Sequence, residues 1–163
     1  MHLDGLVFRN EPRPQDEEVV HAIVSSSGFF SPAEIEIALE LLQERIAKGV
    51  SSGYHFLFAE SDGKVIGYAC FGPIPCTLTS FDLYWIAVRP SLRGSGVGRR
   101  ILAKAESEIR KLGGARIYVE TSSRELYLPT RTFYLKCGYQ EEGLFKHFYA
   151  PGDHKVVFLK VLQ

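Results

Sequence analysis

The chain has 163 residues, of which 45% are hydrophobic and 23% charged, a composition typical of one folded globular domain and not of a disordered chain. Its 19 basic and 19 acidic residues give a formal net charge of zero, so nucleic acid is not a predicted partner. No apolar window approaches the ~20 residues that span a bilayer, and the N-terminal segment MHLDGLVFRNEPRP does not resemble a signal peptide. We therefore expect a cytoplasmic protein without membrane contact.

Three cysteines, Cys70, Cys76 and Cys137, are scattered along the chain without a paired CxxC spacing or a nearby histidine pattern. This arrangement favours reduced thiols over a disulfide framework or a zinc site. The sequence therefore predicts no bound metal.

The first predicted elements are a short strand over residues 6–9 and a helix over about residues 15–26. A second helix has a well-marked start, with Ser31 as N-cap, Pro32 in the first helical position and Glu34 three residues after the cap. Apolar residues then recur at helical spacing, which predicts an amphipathic helix.

Two β-rich runs flank the dipeptide Asp62-Gly63, whose residues both tolerate the positive φ angles of a tight hairpin turn. An antiparallel pair of strands is predicted there. The next segment, FDLYWIAV at residues 81–88, is almost continuously apolar and aromatic, as in a strand covered on both faces. We expect this strand at the centre of the sheet.

The second half of the chain predicts a helix over residues 96–112, a strand over 115–123, a short helix between Pro129 and Gly138, and two final strands joined near 151–153. The order of elements is therefore β, α, α, β, β, β, α, β, α, β, β. Helices that interrupt a mixed sheet place the chain in the mixed α/β (α+β) class, as a single domain over residues 1–163.

The stretch VRPSLRGSGVGRRIL, residues 88–102, runs from the central strand into a helix and contains three glycines and four arginines. A helix N-terminus offers unpaired N–H groups and the positive end of the helix dipole, and glycines let a bulky anion approach the backbone. The stretch lacks the Lys-Ser/Thr of a P-loop, and Arg99 stands where the dinucleotide fingerprint needs its last glycine. The pattern favours a different kind of phosphate site, with a plain glycine-rich turn as the alternative.

The segment RGSGVG, residues 93–98, resembles the R/Q-x-x-G-x-G/A signature of the GNAT superfamily of acyl-CoA-dependent N-acetyltransferases. The segment RTFYLKCGY, residues 131–139, is similar to the second signature of that family, a helix that carries Phe-Tyr and ends near Gly-Phe/Tyr. One predicted helix and one predicted strand separate the two segments, as in the family. The resemblance implies an acetyl-CoA-dependent enzyme with the GNAT fold, a mixed sheet of about seven strands flanked by about four helices.

By the same resemblance, backbone N–H groups of the glycine-rich loop bind the pyrophosphate of coenzyme A. The preceding strand offers backbone groups to the pantetheine arm and to the oxyanion, beside a gap between the strands at 82–88 and 115–122. Arg99 or Arg100 is expected near the 3′-phosphate, with a solvated cationic face as the alternative. The implied cofactor-binding residues are Ile86, Ala87, Val88, Arg93, Gly94, Ser95, Gly96, Val97, Gly98 and Arg99.

The transfer of an acetyl group from a thioester to an amine needs a proton donor for the departing thiolate and a base for the amine. Tyr134 matches the family tyrosine near the thioester sulfur, and packing against the sheet is its alternative role. Asp82 matches the general-base carboxylate of histone-type members. Glu120, beside three hydroxyl residues, is a second candidate base, and a water chain is a third.

Two further expectations concern Asp82. A carboxylate at the end of an apolar strand has a pKa raised by desolvation, which suits a base. If no bulge interrupts the strand, Asp82 shares one face of the sheet with Tyr84, Ile86 and Val88.

Cys137 is the nearest candidate nucleophile for a covalent pathway. It precedes the predicted helix end at Gly138, where the negative end of the helix dipole raises the pKa of a thiol. We therefore expect an inert thiol and direct attack of the amine on acetyl-CoA in a ternary complex.

The resemblance also implies which residues form the wall of the acceptor site: Phe29, Phe30, residues 73–79, His147, Phe148 and Tyr149. This wall is aromatic and short of acidic groups, which favours a small amine or an amino acid over a polyamine or an aminoglycoside. A peptide or protein N-terminus is an alternative acceptor. A non-catalytic regulatory module that binds acyl-CoA, or a module for another phosphorylated ligand, is an alternative function. The family commonly dimerises, so a homodimer is compatible with the sequence.

Overall fold

The computed structural model describes residues 5–163, and residues 1–4 lie outside the described part. In chain order its elements are β1 (Val7–Arg9), α1 (Asp16–Ser25), α2 (Pro32–Lys48), β2 (His55–Ser61), β3 (Lys64–Pro73), β4 (Ser80–Val88), α3 (Val97–Lys111), β5 (Arg116–Ser122), α4 (Leu128–Lys136), β6 (Gln140–Ala150) and β7 (Asp153–Val161). The seven strands form one sheet in the order β1-β2-β3-β4-β5-β7-β6, in which β4 and β5 run parallel and the other neighbours antiparallel. This architecture confirms the predicted mixed α/β class. Within the described residues no helix has both the length and the apolar character that crossing a bilayer requires.

Two local predictions are confirmed in detail. At the start of α2 the Glu34 amide donates to the Ser31 hydroxyl at 3.3 Å, and the Ser31 amide donates to the Glu34 carboxylate at 2.7 Å. This reciprocal pair satisfies two N–H groups that have no acceptor in the helix. In the turn between β2 and β3, Asp62 and Gly63 have φ angles of 51° and 72°, the positive values that a tight hairpin requires.

The sheet separates two hydrophobic cores. One core lies beneath α3 and α4, and the other lies beneath α1 and α2. The helices contribute to the first core the buried side chains of Val97, Ile101, Leu102, Ala105, Ile109 and Tyr134. Because the cores lie on opposite faces, the alternation of side chains along β4 decides which core each of its residues joins.

Strand β4 lies at the centre of the sheet, as predicted, but a bulge interrupts its alternation. Leu83 and Trp85 lie opposite consecutive residues of β3, so Tyr84 is an extra residue without a partner there. Leu83 joins the α3–α4 core before the bulge and Ile86 packs against the same core after it. The bulge therefore exchanges the faces that odd-numbered and even-numbered residues occupy.

Strands β4 and β5 pair only along residues 80–82 of β4 and 116–118 of β5. Beyond these residues β4 continues to pair with β3 and β5 with β7, so the two parallel strands diverge. The gap predicted between them is present. It opens toward the loop that follows β4.

Candidate active site

The glycine loop, residues 93–99, joins β4 to α3. Gly94 and Gly96 have φ angles of 75° and 87°, left-handed values that residues with side chains rarely adopt. Gly96 is the N-cap of α3, and the Arg100 amide donates to the Gly96 carbonyl at 3.1 Å. This is the first hydrogen bond of the helix. The amides of Val97, Gly98 and Arg99 come before it, so no carbonyl of the helix accepts a hydrogen bond from them. They are available to donate to an anion such as a phosphate.

Side chains of the glycine loop hold the loop in place. The Arg93 guanidinium donates to the Ser27 carbonyl at 2.8 Å and lies 4.9 Å from the centre of the Phe29 ring. The Ser95 hydroxyl donates to the Leu92 carbonyl. Arg93 and Ser95 thus fasten the loop to the α1–α2 connection and to its own turn. Val97 is buried, so Gly98 and Arg99 carry the more accessible of the three amides.

Gly98 faces the groove between β4 and α4. A Cβ atom at this position would lie 3.6 Å from the Phe133 ring and 3.7 Å from a Val88 methyl group. Ile86 and Val88 pack against the α3–α4 core, whereas Ala87 belongs to the opposite core. No residue of β5 pairs with these three β4 residues, so their backbone borders the gap.

Tyr134 lies in the α3–α4 core, on α4. It is 3% exposed, and its ring meets those of Phe133 and Tyr139 with centroids 5.3 and 5.4 Å apart. A centroid distance of 6.0 Å links it to Phe158 of β7, the strand that pairs with β5. Burial raises the pKa of Tyr134, so the phenol keeps its proton at neutral pH.

Asp82 does not share a face with Ile86 and Val88. That expectation required an unbroken strand, and the bulge at Tyr84 reverses the alternation between Asp82 and the two later residues. Both neighbours of Asp82 in β4 join the α3–α4 core, so the Asp82 side chain lies on the opposite face, as Trp85 does after the bulge. Tyr134 and Asp82 therefore lie on opposite faces of the sheet, beside the gap between β4 and β5.

Asp82, Glu120 and Lys155 form a polar cluster where β4 and β5 diverge. Asp82 is the last residue of β4 that pairs with β5. Burial, followed by the negative charge of Glu120, raises the pKa of Asp82 to about 6, and the positive charge of Lys155 opposes the shift. The raised pKa predicted for this carboxylate is confirmed. Such a group is ionised at neutral pH and still basic enough to accept a proton.

Lys155 of β7 supplies the cation of the polar cluster. Its ammonium donates to the Glu120 carboxylate at 3.1 Å and lies 3.9 Å from the centre of the Phe148 ring. The Lys155 side chain is 13% exposed and that of Glu120 is 53% exposed. Glu120 is therefore a half-exposed, ion-paired carboxylate, in contrast to Asp82.

Aromatic side chains border the polar cluster on two sides. Tyr84 lies beside Asp82 and meets the Tyr54 ring edge-on, with centroids 5.6 Å apart. Tyr149, a predicted wall residue, lies near Glu120: burial, followed by the charge of that carboxylate, raises the pKa of Tyr149 to about 12. The expectation of a wall short of acidic groups is therefore wrong. Neighbouring strands bring together carboxylates that are far apart in the sequence.

The remaining predicted wall residues are only partly brought together. Phe29 and Phe30 contact the rings of Tyr127 and Trp85, with centroids 6.1 and 4.7 Å apart. Within the predicted range 73–79, Pro73 ends β3 and residues 74–79 form the β3–β4 connection. His147 lies near the β6–β7 turn, where its Nδ1 accepts a backbone amide at 2.8 Å. The α1–α2 connection thus covers β4, and the β6–β7 hairpin contributes Lys155 to the polar cluster.

The Cys137 thiol follows the last residue of α4. Burial raises its pKa, and the positive charge of Arg99 only partly offsets this effect. A thiol with a raised pKa is a poor nucleophile at neutral pH. The raised pKa expected of Cys137 is thus present, with burial and not the helix dipole as its first cause, and the inertness of the thiol stays a prediction.

The sequence does not single out Lys155, and it indicates Tyr84 only as a neighbour of Asp82 on one face of the sheet. Lys155 contacts Glu120 because β7 pairs with β5, and the sequence does not specify that order of strands. Tyr84 lies on the same face as Asp82, as alternation predicts, but no glycine or proline marks the bulge that leaves Tyr84 without a partner in β3. The one available signal for Lys155 was a lysine directly before the apolar run VVFL of the last strand.

The chain is similar to a known protein family in both sequence and structure. The sequence profile of the acetyltransferase (GNAT) domain matches residues 52–141, more than half of the chain. The matched segment contains the glycine loop and the three predicted catalytic residues. It ends at the start of β6.

Individual relatives extend the match to nearly the whole chain. A GNAT-family protein from Desulfovibrio desulfuricans has a solved structure with a TM-score of 0.94 and 43% identity, covering 96% of this chain and 99% of that one. A Salmonella typhimurium structure with acetyl-CoA has the same fold, with a TM-score of 0.74 and 17% identity over 98% of this chain and 95% of that one.

An uncharacterised N-acetyltransferase of Methanocaldococcus jannaschii is 27% identical over 110 residues. That match covers 64% of this chain and 65% of the relative, slightly less than two thirds of the relative's length. The profile match and the 43% identity over almost the full chain confirm the resemblance carried by the two signatures. The chain belongs to the GNAT family of acetyltransferases.

Proposed function

We propose that this protein transfers the acetyl group of acetyl-CoA to a primary amine of a small molecule or amino acid, by direct attack of the amine within a ternary complex. The observation that carries the proposal is the gap between β4 and β5. It connects the glycine loop on one side with the polar cluster on the other. A ligand lying in this gap would have its phosphates at the loop and its reactive end near Asp82.

The glycine loop fits the phosphates of coenzyme A. The amides of Val97, Gly98 and Arg99 have no acceptor in α3, and an added Cβ at Gly94 or Gly96 would meet nothing within 4 Å. Donors and open space therefore coincide at a helix N-terminus, where the helix dipole favours an anion. The Salmonella protein of the same fold, solved with acetyl-CoA, supports this assignment.

Asp82 is the proposed general base. The acceptor amine arrives mostly as an ammonium and must lose a proton before it attacks the thioester carbonyl. Asp82, with a pKa of about 6, accepts that proton on the face opposite Tyr134. Glu120, already paired with Lys155, supports the charge of the incoming ammonium and is not the base in this scheme.

Tyr134 is the proposed proton donor. Acetyl-CoA supplies the acetyl group as a thioester, and the departing sulfur needs a proton or a hydrogen bond. The buried phenol of Tyr134 keeps its proton and provides that donor on the α4 side of the gap. The backbone amides of Ile86 and Val88 are the proposed donors to the oxyanion. The Arg89 amide donates to the Ile66 carbonyl of β3. The amides of Ile86 and Val88 alternate with that of Arg89, so they face the side where no β5 residue pairs with them.

The test is acetyl-CoA-dependent thiol release on a panel of primary amines, with Tyr134→Phe and Tyr139→Phe compared. Loss of the Tyr134 hydroxyl should lower kcat by about a hundredfold, with the Kd for acetyl-CoA unchanged. Tyr139 is a matched control, because it lies in the same core and its buried hydroxyl lies near Glu106 of α3. Equal kcat values for the two variants would contradict the role of Tyr134. Tight acetyl-CoA binding without turnover of any amine would contradict the proposed function and favour a regulatory module.

Direct attack makes a separate prediction about Cys137. If the amine attacks the thioester without a covalent intermediate, Cys137→Ala should retain turnover within about threefold of the wild type. Loss of turnover with acetyl-CoA binding intact would instead support transfer through an acyl-cysteine.

A further inference from the structure

The carboxylates near the predicted acceptor wall differ in whether a cation already neutralises them. Glu120 pairs with Lys155 at 3.1 Å, and Asp153 pairs with Arg124 at 3.2 Å. Asp82 has no hydrogen-bond or salt-bridge partner in residues 5–163. Glu34, whose charge also acts on the Tyr149 ring, accepts a hydrogen bond from the Ser31 amide at the start of α2. Within the polar cluster Asp82 is therefore the one uncompensated carboxylate, which matches one ammonium group.

The cations at this wall are also engaged. The Lys155 ammonium lies between the Glu120 carboxylate and the Phe148 ring. The Arg124 guanidinium pairs with Asp153 and lies 5.4 Å from the centre of the Tyr127 ring. An acceptor with a carboxylate next to its amine would place that charge near Asp82 and Glu120 without a cation to receive it. Like charges at such short range repel strongly in a partly buried site.

The surface around Asp82 is aromatic and accessible. Tyr84, beside Asp82, is 37% exposed and its ring is supported edge-on by Tyr54. On the other side of the cluster Phe148 is 55% exposed and Tyr149 is 47% exposed. Exposed rings on both sides of a carboxylate suit an apolar or aromatic group attached to the bound amine.

We infer that the acceptor is a monoamine whose primary amine is attached to an aromatic or other apolar group and has no free carboxylate beside it. This inference rests on the proposed function and narrows its acceptor class, because it disfavours free amino acids and polyamines. A residue with a blocked carboxyl group, as at a peptide N-terminus, meets the same requirement.

Three acceptors with the same ring and carbon chain test the inference: phenethylamine, phenylalaninamide and phenylalanine. Thiol release from acetyl-CoA should give kcat/KM values for the amine and the amide at least about tenfold above that for the amino acid. Comparable or faster turnover of phenylalanine would overturn the inference and leave the proposed function standing. Failure of all three acceptors, with acetyl-CoA bound, would overturn both.

Two charge variants test the cause of the discrimination against the carboxylate. Glu120→Gln removes the partner of Lys155, which then becomes available to the carboxylate of phenylalanine. The ratio of kcat/KM for phenethylamine to kcat/KM for phenylalanine should therefore fall at least about threefold. Lys155→Met leaves Glu120 uncompensated, so the same ratio should rise or stay high. General damage to the site cancels in a ratio of two acceptors. A change in the same direction for both variants would therefore contradict the electrostatic explanation.

The contribution of the aromatic wall is tested on Tyr84. Tyr84→Ala should lower kcat/KM for phenethylamine several-fold more than for propylamine, whereas Tyr84→Phe, which keeps the ring, should preserve the ratio. Equal losses for both amines in the alanine variant would overturn the apolar part of the inference.

Discussion

The glycine loop and the polar cluster are the two halves of the proposed site, and they are assembled in different ways. The glycine loop is one continuous segment, residues 93–99, whose shape follows from glycines at fixed positions. The polar cluster joins Asp82, Glu120 and Lys155 from three strands, β4, β5 and β7. A site built from consecutive backbone groups can be predicted from the sequence, but a site built across a sheet depends on the order and register of its strands.

The two halves should also respond to different changes. The donors of the glycine loop are backbone amides, so its function depends on φ angles more than on side-chain identity. The polar cluster works through ionised side chains, so its function depends on charge and pH. Backbone changes in the loop should therefore affect binding, and charge changes in the cluster should affect turnover.

The largest effect is expected from a substitution of Asp82, which should lower turnover without changing the binding of acetyl-CoA. Asp82→Asn keeps the shape of the side chain but cannot accept a proton, so kcat/KM should fall at least about a hundredfold while the Kd for acetyl-CoA is unchanged. Asp153→Asn is a matched control near the same wall, because Asp153 is already paired with Arg124. Thiol-release kinetics and acetyl-CoA titration measure both quantities. Equal losses of kcat/KM in the two variants would contradict the role of Asp82 as the general base.

The glycine loop offers a comparison between the two ends of α3. Gly96 and Gly113 both have a φ angle of 87°, and an added Cβ at either position would meet nothing within 4 Å. Replacement by alanine costs about 1 kcal/mol at either position, because side chains disfavour this backbone conformation. Gly96→Ala should weaken acetyl-CoA binding about tenfold, because strain at the N-cap redirects the amides that follow. Gly113→Ala should leave binding unchanged, and similar binding losses for both variants would contradict the anion-binding role of the loop.

The pH dependence of turnover sharpens the electrostatic account of the polar cluster. With a pKa of about 6, Asp82 loses its capacity as a base below that pH, so kcat/KM should fall as the pH decreases through about 6. The charge of Glu120 raises the pKa of Asp82 and that of Lys155 lowers it. The acidic limb should therefore move to lower pH in Glu120→Gln and to higher pH in Lys155→Met. A limb that stays in place in both variants would exclude Asp82 as the titrating group.

A smaller effect concerns stability. The ordinary pKa of Asp82 is 3.8 and its folded-state pKa is about 6, so folding favours the protonated form. The folded state therefore loses stability as the pH rises between these values, and the ionised carboxylate remains destabilising above them. Asp82→Asn should raise the free energy of unfolding at pH 8 by about 1 kcal/mol, allowing for solvent screening of this partly buried group.

Urea denaturation at pH 8 and pH 4 measures this effect. At pH 4 the wild-type carboxyl is largely protonated in the folded state, so the advantage of the variant should shrink. An advantage of equal size at both pH values would point to packing and not to charge as its origin.

The parts of the molecule that were predicted from the sequence have local causes. The capping pair Ser31 and Glu34 and the Asp62-Gly63 turn are specified by neighbouring residues, and the structure confirms them. The glycine loop also has a local cause, because glycines at fixed positions allow the positive φ angles with which the chain turns into α3. Periodicity likewise located the central strand and the helix that follows it.

The parts that escaped prediction depend on pairing between strands. The bulge at Tyr84 appears only in the register of β4 against β3, and it placed Asp82 on the face opposite Ile86. The contact of Lys155 with Glu120 requires β7 to lie beside β5. Neither pairing leaves a local signal, so the acidic character of the wall was missed.

The central claim is that the gap between β4 and β5 presents a thioester, held by the glycine loop, to a base on the opposite face of the sheet. The most direct measurement is a crystal structure of the protein with acetyl-CoA. The account predicts that the pyrophosphate accepts hydrogen bonds from backbone amides of the glycine loop, residues 93–99, and that the thioester lies in the gap between Tyr134 and Asp82. A pyrophosphate bound away from the glycine loop, or a thioester outside the gap, would contradict it.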